Sequence, residues 1–79
     1  MPTPAANFRT LDLNLLRVFD AAMAEGSLTR AATTLAMTQP AVSHAIRRLR
    51  QALGDELFTR TAQGVRPTAL AESLWPQVR

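Results

Sequence analysis

The chain is 79 residues long, 47% hydrophobic, has a formal net charge of +3 and contains no cysteine. This describes one small domain of ordinary globular composition. Disulfides, thiolate metal sites and a thiol nucleophile are excluded, and no apolar run approaches a membrane span.

All the basic residues are arginine, and their distribution matters more than the total. From Ser27 to Gly54 there are Arg30, Arg47, Arg48 and Arg50 and no acid, whereas the first helical region carries Asp12, Asp20 and Glu25 against Arg17. The segregation gives a mildly acidic side and a basic side suited to a polyanion. Arginines toward a helix C-terminus also complement its dipole, so charge alone does not separate a binding face from a solvated one.

Residues 1–10 contain two prolines and no periodicity, so they read as a loose arm with Phe8 docked on the body. The stretch Met1–Asn7 is neither charged nor apolar enough for a signal peptide, and the expected location is cytoplasmic. Asp12 is the expected N-cap of a first helix that reaches Glu25 and stops at Gly26. Its apolar positions are Leu15, Leu16, Phe19, Ala22 and Met23.

Ser27 caps a second helix, with Leu28, Ala31, Ala32 and Leu35 on one face. The two alanines leave room for another helix to approach. Ala36 and Met37 form a short connection. Thr38 then caps a third helix with Pro40 in its first turn, where the missing N–H costs nothing. Val42, Ala45, Ile46, Leu49, Ala52 and Leu53 form its apolar stripe. Opposite lie Pro40, His44, Arg47 and Gln51; Ser43 and Arg50 flank the stripe on one side and Arg48 on the other. Two short helices joined by a few residues, the second amphipathic and basic, make a helix-turn-helix pattern.

Gly54 ends the third helix. Leu57-Phe58-Thr59-Arg60 and Val65-Arg66-Pro67-Thr68 read as two strands around the loop 61–64, with Pro67 confined to an edge or a strand end. A hairpin in this place is a wing, and Arg60 and Arg66 put charge on it. Thr68 can cap a last helix in which Leu70, Leu74 and Val78 align and Trp75 adds apolar surface. That stripe is expected to be a dimer seam; the alternative is packing back onto the first helix. Pro76 predicts a kink or an end nearby. The pattern is still running at Arg79, so the sequence is expected to be a piece of something longer.

The chemistry of catalysis is missing. His44 is the only histidine, Asp55 and Glu56 are adjacent acids with no implied pocket, and Ser43 and His44 are helix neighbours that do not face each other. No metal cluster, phosphate loop or cofactor site can be assembled, so no enzyme is expected.

The run from Ala31 through Thr38-Gln39-Pro40-Ala41-Val42-Ser43-His44 to Leu49 resembles the helix-turn-helix of LysR-type transcriptional regulators. The match extends through Leu53-Gly54, Leu57-Phe58-Thr59-Arg60 and Pro67-Thr68, and Asp12-Leu13-Asn14-Leu15-Leu16 fits the family's first helix. The resemblance implies a mainly α, winged helix-turn-helix fold, with three helices, a two-stranded wing and a linker or dimerisation helix. It divides the chain into an arm (1–10), the winged domain (11–68; helix-turn-helix 28–47, wing 57–67) and the start of the linker helix (69–79).

It also implies double-stranded DNA as partner, an inverted-repeat operator, a homodimer through the linker helix and a tetramer of the full-length protein. An effector would act only through a C-terminal domain, and no membrane is involved. By position, Gln39, Pro40, Ser43 and His44 match the recognition-helix positions nearest bases and phosphates. Arg60 and Arg66 match positions approaching phosphates or the minor groove. Many members have Arg where this chain has His44; if His44 contacts a base here, base preference should differ and vary with pH. The departures are Ala36 in the turn and Pro76 in the linker helix.

The expected function is sequence-specific DNA binding, with recognition helix 39–53 in the major groove. Gln39 is the candidate for a base-edge contact, because an amide can donate to and accept from adenine. Thr38, Ser43, Arg30, Arg47 and Arg48 position the backbone. Leu70, Leu74, Trp75 and Val78 form the dimer contact. One rival is a helical dimerisation or protein-interaction module whose arginines only confer solubility. RNA binding is disfavoured, because interleaved aromatics are lacking.

Overall fold

The computed structural model describes residues 13–78. The arm, Phe8 and the expected cap Asp12 lie outside the described residues. Among these, helices α1 (Leu13–Glu25), α2 (Leu28–Leu35) and α3 (Gln39–Leu53) precede strands β1 (Phe58–Thr61) and β2 (Gly64–Pro67), and helix α4 (Ala69–Val78) follows.

Each helix boundary has a local cause. The backbone N–H of Gly26 donates to Ala22 O at the end of α1. Ser27, in extended backbone, caps α2 by accepting from Arg30 N–H at 3.2 Å. Thr38 caps α3 in the same way, accepting from Ala41 N–H at 3.2 Å, and Pro40 occupies the first turn. Between them Ala36 takes the left-handed conformation (φ 56) that helix ends usually give to glycine. Ala36 N–H donates to Thr33 O and Met37 N–H to Ala32 O, the paired bonds of a Schellman ending. The sharp turn therefore forms without glycine, through hydrogen bonding that offsets the strain.

The core is built from one stripe of each element. Leu15, Val18, Phe19 and Ala22 of α1 meet Ala32 of α2, Val42, Ala45, Ile46 and Leu49 of α3, and Leu57 and Phe58 at the wing's entry. The inward positions of α1 differ slightly from the expected set. Val18 is fully buried, while Leu16 and Met23 are half-buried at the stripe's edges. The Phe19 and Phe58 rings lie 5.9 Å apart at 51°, a tilted contact that joins the first helix to the wing.

The wing sits one residue later at its start, and one earlier at its return, than the apolar runs suggested. Its antiparallel register pairs Phe58 with Pro67, Thr59 with Arg66, Arg60 with Val65 and Thr61 with Gly64. Leu57 is not part of the strand. It is fully buried in a left-handed conformation (φ 65), and its N–H donates to Asp55 Oδ1 at 2.7 Å. This turn rotates the chain out of α3 before the strand begins. The same Asp55 oxygen accepts from Thr68 Oγ1 at 2.8 Å, and Thr68 Oγ1 accepts from Ala71 N–H at 3.2 Å. One carboxylate thus closes the wing's base and braces the cap of α4.

Helix α4 does not end at Pro76; it runs two residues beyond, to Val78, with Pro76 inside it. Leu74, Trp75 and Val78 are partly buried against the chain's own core. Trp75 Nε1 donates to Asp20 Oδ1 at 2.8 Å, which pins α4 to α1. An open groove between these helices is lined by Leu13, Leu16, Arg17, Asp20 and Val78, and Leu13 is 76% exposed. No helix of the described residues is long and apolar enough to cross a membrane.

Candidate nucleic-acid interface

The apolar stripe of α3 fixes which of its residues face outward. With Val42, Ala45, Ile46 and Leu49 buried, Gln39, Pro40, His44, Arg47, Arg48 and Gln51 are exposed, and Thr38 is exposed just ahead of them. Ser43 is half-buried at the stripe's flank. The N-terminal half of the helix therefore offers an amide, an imidazole and hydroxyls, and the C-terminal half offers guanidinium groups. Thr38 is already engaged, because its hydroxyl oxygen accepts the Ala41 N–H. Arg30 is exposed on α2, where its own backbone N–H is the group that Ser27 caps.

Electrostatically the face is one-sided. Among the described residues the one ion pair joins Arg50 Nε to Glu56 Oε1 at 3.7 Å. No charged side chain is buried among them. The cationic groups of Arg30, Arg47, Arg48, Arg60 and Arg66 are displayed rather than consumed internally.

The register of the wing separates two arginines that sequence reading treated alike. Residues two apart on a strand share a face, as do directly paired residues across strands. Phe58 is buried, so Arg60, with its partner Val65, lies on the side of the hairpin that faces the helices. Thr59 and Arg66 lie on the opposite side, and both are exposed. Arg60 accordingly lines a cleft with Leu28, Ser43, Ile46, Arg47 and Arg50, between the wing and α3. Arg66 does not.

Arg50 is not among the residues the sequence assigns to binding, and the structure gives it a distinct task. Its Nε donates to Glu56 O at 2.8 Å and its Nη2 to Phe58 O at 3.4 Å, so it ties the last turn of α3 to the start of β1. The available signal was its position. Ser43, Arg47 and Arg50 stand at i, i+4 and i+7, one flank of the helix.

The four residues expected at a dimer seam all lie on α4. Leu70 is half-buried, and Leu74, Trp75 and Val78 share their surface with the core, as described above.

Comparison with known proteins agrees with this architecture. The family model for bacterial regulatory helix-turn-helix proteins of the lysR family matches residues 13–72. The HTH-type transcriptional regulator LeuO of Escherichia coli (strain K12) is 55% identical over 71 residues, covering 90% of this chain and 23% of LeuO. The crystal structure of a probable transcriptional regulator from Pseudomonas aeruginosa superposes with a TM-score of 0.86 at 49% identity, covering 91% of this chain and 24% of that one. The crystal structure of BenM_DBD in complex with catB site 1 DNA gives a TM-score of 0.81 at 32% identity, covering 86% of this chain and 76% of that one. The chain spans about a quarter of the length of the curated relatives it matches.

Proposed function

The chain belongs to the LysR family of bacterial regulatory helix-turn-helix proteins, and from that membership we propose that it binds double-stranded DNA sequence-specifically. In this reading α3 enters the major groove with its N-terminal half nearest the bases. Gln39 reads a base edge. Pro40 and His44 sit against the same groove wall. Thr38, Ser43, Arg30, Arg47 and Arg48 hold the phosphates, and Arg60 and Arg66 extend the contact from the wing.

The observation that carries the reading is the exposed side of α3, where polar and cationic groups follow one another from Gln39 to Gln51 with no acid. The DNA complex of a relative with the same fold adds support.

Two copies associating through α4 would read two half-sites of an inverted repeat. The exposed Leu13 and the groove beside Val78 favour a second copy at that end of the domain. Tetramer formation and effector binding belong to the longer protein, consistent with relatives about four times this length. The reading assigns no catalysis and no cofactor, and it places the protein in the cytoplasm on the nucleoid.

A mobility-shift experiment tests it, using operator duplex selected from a random pool and a scrambled duplex at two salt concentrations. Preference for the selected duplex that persists at the higher salt is expected. Equal, weak binding to both duplexes would instead identify a helical interaction module.

A further inference from the structure

The cleft between α3 and the wing joins residues far apart in sequence into one cationic site. Ser43 and Arg47 come from α3, and Arg60 comes from the helix-facing side of β1. No acid lines it. Its volume of about 160 Å³ is well above the roughly 10–15 Å³ that one water needs on the same measure, room for one tetrahedral oxyanion and part of its hydration. Leu28 and Ile46 also line it.

The geometry points to a seat for a single phosphate, closed on by Arg47 from the helix and Arg60 from the wing, with the Ser43 hydroxyl as an additional donor. Arg50 is a positioning residue for this seat. Its bonds to Glu56 O and Phe58 O fix the start of the strand that carries Arg60 two residues later. Arg66, on the other side of the wing, takes no part. The inference rests on the DNA-binding reading and deepens it, because two arginines share one backbone phosphate instead of neutralising two.

The salt dependence of affinity for a random-sequence duplex tests the seat without knowledge of the operator. Each neutralised phosphate contributes about 0.9 to the slope of log K against log salt. Arg47→Ala and Arg60→Ala should each weaken binding about tenfold at low salt, the loss of one charge-assisted contact. Each should leave the slope nearly unchanged, because the remaining arginine still neutralises the phosphate. The double variant should lower the slope by about 0.9. Slopes that fall by about 0.9 in each single variant and about 1.8 in the double would overturn the shared seat. So would slopes and affinities that none of these variants alters.

The outcome for the wider reading is separate. If the wild-type chain shows no salt-dependent duplex binding, the DNA reading fails and the seat with it. If the wild type binds and Arg48→Ala weakens it while the cleft variants do not, only the seat fails. Inorganic phosphate, titrated at constant ionic strength, distinguishes the two sources of the anion. Competition with duplex in the wild type, lost in the double variant, supports a seat that the backbone phosphate occupies. Phosphate-induced shifts at the Ser43 amide without competition identify a site for free phosphate and overturn its assignment to the duplex.

Arg50→Met should reproduce the affinity loss of Arg60→Ala and remove the further effect of combining the two. Additive losses would mean that Arg50 acts on binding independently of Arg60 and would overturn its positioning role. Thermal unfolding of every variant verifies that it is folded.

Discussion

Gly64 lies where the wing's turn touches the connection between α1 and α2, and its replacement by alanine tests how the wing is held. Gly64 has φ 144, and a Cβ there would overlap the backbone carbonyl oxygen of Gly26. That same oxygen accepts the N–H of Val65 at 3.1 Å. Neither the carbonyl nor the turn can rotate away like a side chain, so the hairpin itself must move. The hydrogen bond is worth about 1 kcal/mol, and forcing a Cβ into this backbone region costs about 1–3 kcal/mol more. A loss of about 3 kcal/mol is a large share of the roughly 4–12 kcal/mol expected for a chain of this size. It corresponds to a fall of about 12–24 °C in Tm.

Gly54 is the internal reference. It caps α3 at φ 66 with open space around its Cβ position, so Gly54→Ala should cost only about 1 kcal/mol. Urea and thermal unfolding followed by circular dichroism measure both variants, and amide exchange at Val65 reports the wing directly. Equal losses within about 0.5 kcal/mol would refute the role of the Gly26–Gly64 contact.

Other sites give expectations of differing sign. Ala36→Gly should stabilise the protein by about 0.5 kcal/mol, because relief at a left-handed residue exceeds the added freedom of the unfolded chain; a lower Tm would contradict it. Asp55→Ala deprives both Leu57 N–H and the Thr68 hydroxyl of their acceptor and should cost about 2 kcal/mol, whereas Asp55→Asn should recover most of that loss in the same unfolding assay. Gln39→Ala should cost about 1–3 kcal/mol at a single base pair and leave affinity for random DNA unchanged. Binding across a set of single-base operator variants measures this, and a uniform loss would remove Gln39 from base reading.

These sites differ in how far the sequence alone reveals them. The helices and their caps are readable because the signals are local. Ser27, Thr38, Pro40 and Gly54 act within four residues of themselves, and the stripe from Val42 to Leu49 repeats at the helical period. The wing is only half readable. Strand-forming residues are evident on both sides of Gly64, but the register depends on Leu57 leaving extended geometry, and a buried leucine at φ 65 leaves no compositional trace. Without the register, Arg60 and Arg66 look equivalent. Arg50 was legible as a flank position but not as a brace, because its acceptors are main-chain carbonyls that any sequence supplies. The Trp75–Asp20 bond spans 55 residues and lies beyond any periodicity. The α4 stripe therefore reads from sequence as a surface awaiting a partner, although the fold covers part of it with α1.

Placement of the wing has a consequence for recognition. An isolated two-stranded hairpin is marginally stable in water, so pairing between β1 and β2 cannot by itself fix where Arg60 stands. Its position comes from contacts outside the hairpin. Val65 is bonded to Gly26 O, the β1 entry to Arg50, the β2 exit to Leu57 O through Thr68 N–H, and Phe58 is packed on Phe19. These contacts reach α1, the α1–α2 connection and the end of α3, so they tie the wing to the elements that carry the exposed face of α3. A binding surface with a fixed backbone has only side chains left to order on association, about 0.5–1.5 kcal/mol for each long one immobilised. The separation between Arg47 and Arg60 is accordingly set by the protein's core before any polyanion arrives. Core substitutions beneath the wing, Phe58→Leu for example, should weaken duplex binding through Arg60 even though residue 58 is buried away from the DNA.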